Sequence, residues 1–317
     1  TTSPVSMPGN GLISPMNLPV PESNSLELRV LDVSQLLRQA GLRPDKRLGQ
    51  NFLIDPVALQ RVVESAELEK NDLVLEVGAG LGSLTRYLAV STHSVTAVEL
   101  DAHLFELLRE VMSAYPNVSL VQGDILKLDP VELMTRGEHK NLTNNYVVAA
   151  NIPYYITSAV IRHLLEARLQ PRRIVLTVQR EVAERICAQP GQLSLLALSV
   201  QVYGQPQITA QISANSFYPL PEVDSSVVKI SLYSEPLIPP EHLKAFFRLV
   251  KAGFSQKRKT LRNALAGGMH WQPQQAEEIL QNAGIDPQRR AETLSLSEWG
   301  ILVEVYENRL RDANQGM

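Results

Sequence analysis

Short apolar runs alternate with amphipathic stretches along much of the chain, and this alternation limits the fold more than any other feature. From Asn71 onward the predicted strands are residues 73–77, 94–98, 118–121, 146–150 and 173–178. Between them, apolar residues recur at spacings of three and four, which predicts helices over 83–88, 103–112, 158–165 and 181–188. Such alternation is typical of successive βαβ units. The sequence therefore predicts a doubly wound, Rossmann-like α/β domain with a parallel sheet.

The rest of the chain follows other patterns. Residues 193–202 are apolar almost throughout and suit either a helix or a strand, while 207–212 and 226–233 predict a closing antiparallel pair. Prolines at 236, 239 and 240 then interrupt the pattern, and helices are predicted over 243–254, 260–265, 274–283 and 298–310. The predicted organisation is a disordered tail (1–27), an α/β domain (28–236) and a small C-terminal helical domain (237–317).

Two local signals mark helix ends. Apolar residues near Leu31 lie on one helical face that Gly41 ends, and Ser295 with Glu298 has the spacing of a capping box.

Composition narrows the class of protein. A chain of 317 residues with 44% hydrophobic content can bury a full core, and its net charge of -3 requires any nucleic-acid contact to use a local basic patch. Cys187 is the sole cysteine, so we expect a reducing cytoplasm, with no internal disulfide and no metal site. No apolar run is long enough to cross a bilayer, and the tail lacks the basic residues of a targeting signal.

A glycine-rich turn follows the first predicted strand. The segment 76–82 reads Glu-Val-Gly-Ala-Gly-Leu-Gly, with alternating glycines after an acid rather than the spacing of a dinucleotide site. Glu99 ends the second strand and suits a ribose diol, and Asp124 ends the third and can accept from an adenine amine. A plain tight turn with two solvated acids is the alternative. Together, however, these residues predict a nucleoside pocket without a phosphate clamp, which suits S-adenosyl-L-methionine.

A tetrad, Asn151-Ile152-Pro153-Tyr154, follows the fourth predicted strand. The asparagine amide oxygen and the Ile152 carbonyl are acceptors, Pro153 biases Ile152 towards an extended backbone, and Tyr154 offers a stacking face. A simple strand-to-loop turn is the alternative interpretation. With the pocket upstream, the tetrad indicates chemistry on a flat ring that carries an amine.

The ordered set of motifs resembles the ribosomal RNA adenine dimethyltransferase family, most closely its bacterial small-subunit branch. The resemblance runs from about Arg43 to Val305. The matching segments are 48–53, 76–82, Glu99, 123–124, 151–154, 179–185, 217–225, 254–261 and 289–295.

This resemblance implies a Rossmann-like, S-adenosylmethionine-dependent methyltransferase fold. It also implies dimethylation of two adjacent adenosines in the terminal hairpin of 16S ribosomal RNA, by a monomer that acts in small-subunit biogenesis. The implied cofactor residues are Asn51, Leu53, Gly78, Glu99, Asp124 and Asn151. The implied catalytic residues are Asn151 and Pro153, with Tyr154 and Phe217 stacking on the base. We assign no general base, because methyl transfer depends mainly on positioning.

A run of basic residues lies in the helical tail. From Lys244 to Arg262 the chain carries seven Lys and Arg residues and no acid. We predict that Lys257, Arg258, Lys259 and Arg262 bind RNA, and that Arg289 and Arg290 extend this patch. Glu222 stands where the family commonly has lysine, which predicts the loss of one phosphate contact.

Three other functions fit parts of the sequence. A related 23S RNA methyltransferase of the macrolide-resistance type shares the 50–53 and 151–154 motifs, although the helical tail fits the small-subunit enzymes better. A ribosome-assembly or transcription factor that has lost catalysis would keep the fold, but each pocket position is intact. A nicotinamide-dependent dehydrogenase is disfavoured by the glycine spacing.

Overall fold

The protein is described by a computed structural model over residues 28–45, 48–135, 146–153 and 156–315. The predicted disordered tail and Tyr154 lie outside these residues. The strands are β1 (Phe52–Leu53), β2 (Leu73–Val77), β3 (Ser94–Glu99), β4 (Val118–Gln122), β5 (Tyr146–Asn151), β6 (Arg173–Gln179), β7 (Gly204–Ile212), β8 (Phe217–Tyr218) and β9 (Ser225–Leu232).

A seven-stranded sheet is the centre of the described part of the chain, in the order β4-β3-β2-β5-β6-β9-β7. Strands β2 to β6 are mutually parallel, as predicted, and β9 pairs antiparallel with both β6 and β7. The predicted closing antiparallel pair is therefore confirmed. Strand order reverses between β2 and β5, and in open α/β sheets such a point opens a crevice at the carboxyl ends of the strands.

Helices cover both faces of the sheet. The helices are α1 (Val33–Gln39), α2 (Pro56–Ala66), α3 (Ser83–Ser91), α4 (Ala102–Met112), α5 (Pro130–Met134), α6 (Thr157–Leu165), α7 (Arg180–Ile186), α8 (Leu195–Gln201), α9 (Leu243–Gly253), α10 (Leu261–Met269), α11 (Pro273–Asn282) and α12 (Leu296–Gln315). In the part of the chain described above, none is long and apolar enough to span a membrane.

The segment that suited either element is a helix. Ser194 Oγ accepts the Ala197 backbone N–H at 3.1 Å, so α8 begins with a side-chain cap. Gly41 has a φ of +68° just after α1, which confirms it as the stop signal for that helix.

Successive side chains of the strands alternate between the two faces of the sheet, so the hydrophobic core forms a separate cluster on each face. Val74, Val147 and Val175 pack in one apolar cluster with residues of α2, α3 and α4, whereas Leu75 and Val148 pack in the other with residues of α6. Successive side chains of a strand point to opposite faces, so strands buried on both faces read as continuous apolar runs.

The second cluster continues from the sheet into the C-terminal helices. Leu176 of β6, Phe246 of α9 and Trp299 of α12 belong to this one set of buried residues. The capping box is confirmed, since Ser295 N–H donates to Glu298 Oε2 at 2.8 Å and Glu298 N–H donates to Ser295 Oγ at 3.2 Å. The division into two domains at residue 236 stays a prediction.

Helix α10 is longer than predicted. It continues through Gly267 and Gly268 to Met269, although the predicted helix ended at residue 265. A Cβ on Gly268 would lie 2.6 Å from both Cα and Cβ of Ala252 in α9. The prediction was wrong because packing against α9 offsets the weak helix propensity of glycine.

We expect Gly268→Ala to destabilise the fold, because the new methyl group would overlap the Ala252 backbone. Overpacking of this kind costs about 1–3 kcal/mol. Urea unfolding followed by circular dichroism measures the change. Gly267→Ala is the matched control, because its Cβ would meet only Gln256 Nε2, at 3.5 Å. We expect that variant to be neutral or stabilised by up to about 1 kcal/mol, and equal effects of the two changes would contradict the packing argument.

Candidate active site

A cavity opens at the carboxyl ends of the parallel strands, where the strand order reverses. Its walls come from the segment 48–53, the turn after β2, and the ends of β3, β4 and β5. Among the residues that line it are the predicted site residues Asn51, Leu53, Gly78, Glu99, Asp124, Asn151 and Pro153. The structure thus brings together the predicted cofactor residues and two of the predicted catalytic residues.

The glycine-rich turn forms the floor of the cavity. Gly78, Gly80 and Gly82 all have positive φ values, which a side chain would strain. A Cβ on Gly78 would lie 3.6 Å from the Asn151 carbonyl oxygen, and one on Gly80 would lie 3.1 Å from the Phe52 ring. The missing side chains therefore allow Asn151 and Phe52 to approach the backbone of the turn closely.

Glu99 fixes the position of this turn. Its Oε2 accepts the Gly80 N–H at 2.7 Å and its Oε1 accepts the Asp101 N–H at 2.8 Å. Burial raises the pKa of Glu99 above its ordinary value, while these two backbone donors lower it. At the end of β4, the partly exposed Asp124 accepts the Leu126 N–H at 3.1 Å, and Lys127 Nζ lies 3.6 Å from its Oδ2.

Glu76 also lines the cavity and is only 1% exposed. No described residue forms a hydrogen bond with its Oε2. Burial is the main cause that raises the pKa of Glu76 to about 8, and the nearby Glu99 charge raises this pKa further. The Thr85 hydroxyl lowers the pKa of Glu76, although it forms no hydrogen bond of normal geometry with a described residue. The motif at 76–82 already included this acid, but sequence reasoning gave it no role.

Asn151 stands at the end of β5, next to Gly78. Its Nδ2 donates to the Asn51 carbonyl at 3.1 Å, and Asn51 Nδ2 donates to the Gly49 carbonyl at 3.2 Å. No described residue donates to Asn151 Oδ1. The amide is therefore held through its nitrogen while its acceptor stays available to a ligand.

Gln50 joins the segment 48–53 to the far side of the cavity. Its Nε2 donates to Asp101 Oδ2 at 3.0 Å, and its Oε1 accepts the Asp45 N–H at 2.8 Å. Sequence reasoning included Gln50 in a motif without a role, because Asp101 lies 51 positions away and no local pattern links the two.

Phe217 is buried beside the cavity wall rather than open to it. Strand β8 pairs with β1, so that Phe217 lies opposite Leu53, and the Ile54 N–H donates to the Ser216 carbonyl at 2.9 Å. The ring is 4% exposed and packs in the same apolar cluster as Leu53. In this structure it offers no open face, because β1 and the core beneath it cover it. Its predicted stacking role stays a prediction, and Tyr154 lies outside the described residues.

The predicted RNA-binding residues differ in whether they already form ion pairs within the protein. Lys257, Arg258 and Lys259 are exposed between α9 and α10, and no described residue pairs with them. Arg262 Nη1 instead lies 3.0 Å from Glu277 Oε2. Arg289 bonds Glu298 and Thr293, and its place in the basic patch stays a prediction. Exposed Arg290 still suits that patch.

We expect Glu76→Gln to change how stability depends on pH. Folding takes up a proton at Glu76 between the ordinary glutamate pKa and about 8. The stability that this proton contributes is complete below the ordinary pKa and is lost as pH rises towards about 8. The free energy of unfolding of the variant, relative to that of the wild type, should therefore increase with pH. Urea unfolding at a series of pH values between about pH 5 and pH 8.5 measures this difference.

Glu110→Gln serves as the control, since Glu110 is exposed on α4. Its stability should follow the wild type across the same pH range. If Glu76→Gln also ran parallel to the wild type, Glu76 would not be the titrating group.

Comparison with known proteins shows close relatives. The chain is 45% identical over 265 residues to ribosomal RNA small subunit methyltransferase A of Dehalococcoides mccartyi, which covers 84% of this chain and 89% of that protein. The protein of the same name from Moorella thermoacetica is 42% identical over 277 residues, which is 86% of this chain and 96% of the relative.

Solved structures share the fold. The 23S rRNA methyltransferase ErmE has a TM-score of 0.64 at 27% identity, over 81% of this chain and 99% of its own. A dimethyladenosine transferase from Plasmodium falciparum has a TM-score of 0.68 at 23% identity, over 81% and 98% of the two chains. A model of the family described as "Ribosomal RNA adenine dimethylase" matches residues 42–302. This chain belongs to the ribosomal RNA adenine dimethylase family.

Proposed function

We propose that this chain transfers methyl groups from S-adenosyl-L-methionine to 16S ribosomal RNA in the small ribosomal subunit. The products are two adjacent dimethyladenosines in the terminal hairpin. One observation carries the proposal: the parallel register of β2 and β5 puts the glycine turn at Gly78 beside Asn151. A nucleoside cavity and an amide that can accept from an amine thus share one edge of the sheet.

The cavity fits the proposed cofactor. S-adenosyl-L-methionine supplies a methyl group on a positively charged sulfur, and it carries no phosphate. The cavity has two buried carboxyl groups, those of Glu76 and Glu99, and no described residue bonds Glu76 Oε2. A phosphate beside these carboxyl groups would oppose their ionisation, whereas a cationic sulfur would favour it, so the lining suits a cation-bearing nucleoside better than a nucleotide.

Each cofactor residue has a proposed part. Glu99 accepts from the ribose hydroxyls and Asp124 from the adenine amine, while Asn51 and Leu53 line the methionine end. Gly78 allows close approach of the backbone. Glu99 keeps acceptor capacity for this task, because a carboxylate has about four lone-pair sites and only two backbone donors are bound here.

Asn151 holds the target amine. Its Oδ1 accepts one amine hydrogen and the Ile152 carbonyl accepts the other, which draws the nitrogen out of conjugation with the ring. The Asn51 carbonyl fixes the amide so that this acceptor is preorganised. Positioning of this kind supplies most of the acceleration. No side chain needs to act as a general base, because the nitrogen becomes acidic once it carries the new methyl group and then releases its proton to water.

Aromatic residues stack on the target base. Tyr154 follows Pro153 directly in the chain and is proposed as one face of the base site. Phe217 is proposed as the other face, which requires its buried ring to become exposed when RNA binds. Stacking on an aromatic side chain contributes about 1–3 kcal/mol per base. The base comes from a hairpin loop, where it is already unpaired.

Exposed cations hold the RNA backbone. We call the three exposed residues between α9 and α10 the basic turn; they are Lys257, Arg258 and Lys259. Arg262 is proposed to contribute after exchanging Glu277 for a phosphate. Because the whole chain has a net charge of -3, this local patch rather than overall charge attracts RNA.

A 23S RNA target is the other candidate. The structural likeness to ErmE favours it, but at 27% identity that likeness is weaker than the 45% and 42% identity to small-subunit enzymes. Incubation of the protein with unmodified small and large subunits, followed by mapping of the methyl groups, separates the two. Absence of methylation on both RNAs would instead support a non-catalytic assembly factor.

The proposed function leads to two further proposals, on where the protein acts and on its oligomeric state. We propose that the protein acts in the cytoplasm, where ribosomal RNA would be its target and the lone Cys187 would stay reduced. We propose a monomer, because one chain supplies all the walls of the cavity described above.

We expect Asn151→Ala to lower kcat for methylation by on the order of 100-fold or more, because the amine loses its acceptor and its position. Tritium transfer to unmodified small subunits measures the rate. RNA affinity and the circular dichroism spectrum should change little. Asn282→Ala is the matched control, because Asn282 is exposed at the end of α11. Similar rates for both variants would exclude Asn151 from the site.

We expect replacement of Lys257, Arg258 and Lys259 by Gln to weaken RNA binding and to flatten its salt dependence. Each lost phosphate contact lowers the slope of log affinity against log salt by about 0.7–0.9. Filter binding across a salt series measures both. A control triple with Gln at Arg38, Lys70 and Arg109, all exposed on the α/β part, should keep the wild-type slope. An unchanged slope in the first variant would refute the assignment.

A further inference from the structure

A short loop after β8 lies at the edge of the candidate site. The 218–224 loop, as we call these residues, begins at Tyr218, whose partner in β1 is Phe52. Phe52 lines the cavity, so the loop starts directly beside the cavity wall.

The far end of the loop is held next to the end of β6. The Arg180 N–H donates to the Asp224 carbonyl at 3.1 Å, at the start of α7. Strand β6 neighbours β5, with Thr177 opposite Asn151. Asp224 Oδ1 also accepts the Ala214 N–H at 3.0 Å. Both ends of the loop are therefore fixed to elements that flank Asn151.

Between these anchors the loop presents apolar side chains to solvent. Leu220 is 64% exposed and Val223 is 44% exposed, while Pro221 between them is buried. Glu222 is exposed as well and has no described partner. Leu220 and Val223 therefore offer apolar surface that a bound partner can bury.

The chemistry of the loop excludes phosphate and favours bases. Residues 213–225 include no Lys or Arg, and Glu222 would repel a phosphate. Nucleic-acid bases offer flat apolar faces, and apolar side chains such as Leu can wedge against them. A glutamate can accept from the amino group of a base. The basic turn carries cations for the backbone, so the two surfaces suit different parts of one RNA.

We propose that Leu220 and Val223 pack against unpaired bases next to the target adenosine, and that Glu222 accepts a hydrogen bond from a base amino group. The loop then contributes to recognition of the RNA loop rather than to binding of its backbone. This inference rests on the proposed function, since it needs an RNA substrate at the same edge of the sheet.

The kinetic test uses the full chain with unmodified small subunits. We expect the double variant Leu220→Ala/Val223→Ala to lose on the order of 10-fold in kcat/KM, because it loses contacts to bases. The loss should lie mainly in KM for the subunit. The affinity for S-adenosyl-L-methionine and the salt slope of RNA binding should stay at wild-type values, since no phosphate contact is removed. Leu237→Ala is the matched control, because Leu237 is 56% exposed in the linker before α9.

The contact test places a photo-crosslinking amino acid at position 220 or at position 237. We expect crosslinks from position 220 to bases of the methylated hairpin, mapped by primer extension, and none there from position 237. Crosslinks from position 220 to ribosomal proteins alone, or a wild-type kcat/KM for the double variant, would overturn the inference while methylation by the wild type persists. A wild-type protein that methylates neither subunit would instead overturn the proposed function, and this inference with it.

Discussion

One close approach between two strand ends sets the geometry on which the site depends. The residue after β2 stands beside the last residue of β5, and a Cβ on Gly78 would lie 3.6 Å from Asn151 O and 3.7 Å from Ile152 Cγ2. The backbone of Gly78 also has a φ of +76°, which glycine adopts without strain. Because no side chain fills this point, the cavity and the Asn151 amide lie side by side rather than apart.

The segment 48–53 closes the cavity through hydrogen bonds to distant parts of the chain. Gln50 bonds Asp101, the Asn51 carbonyl accepts from Asn151, and Leu53 lies opposite Phe217 in a two-stranded pair. A hydrogen bond of this kind has a net contribution of about 1 kcal/mol, so no single one would hold the segment strongly. Acting together, they place Asn51 beside Asn151 in the cavity wall and define the geometry of the proposed methyl-transfer site.

The surfaces proposed for the cofactor, the RNA backbone and the RNA bases differ in their charged residues. The cavity buries Glu76 and Glu99, whose raised pKa values reflect loss of water around their carboxyl groups. The cations of the basic turn are exposed between two helices of the C-terminal part, and the 218–224 loop has no cation at all. A cationic cofactor would favour the ionised forms of these carboxyl groups, the basic turn would attract RNA phosphates, and the apolar loop would suit RNA bases.

The sequence by itself determined the parallel sheet, the antiparallel closing pair, the glycine turn and, to within one residue, the end of β5 at Asn151. These follow from hydrophobic period and turn chemistry, which act over a few residues. Sequence reasoning ended α10 too early and gave no role to Gln50 or Glu76. Only the tertiary structure decided these points. The Gly268 contact with Ala252, the Gln50 bond to Asp101 and the burial of Glu76 depend on how separate elements pack. No local pattern encodes which elements will meet.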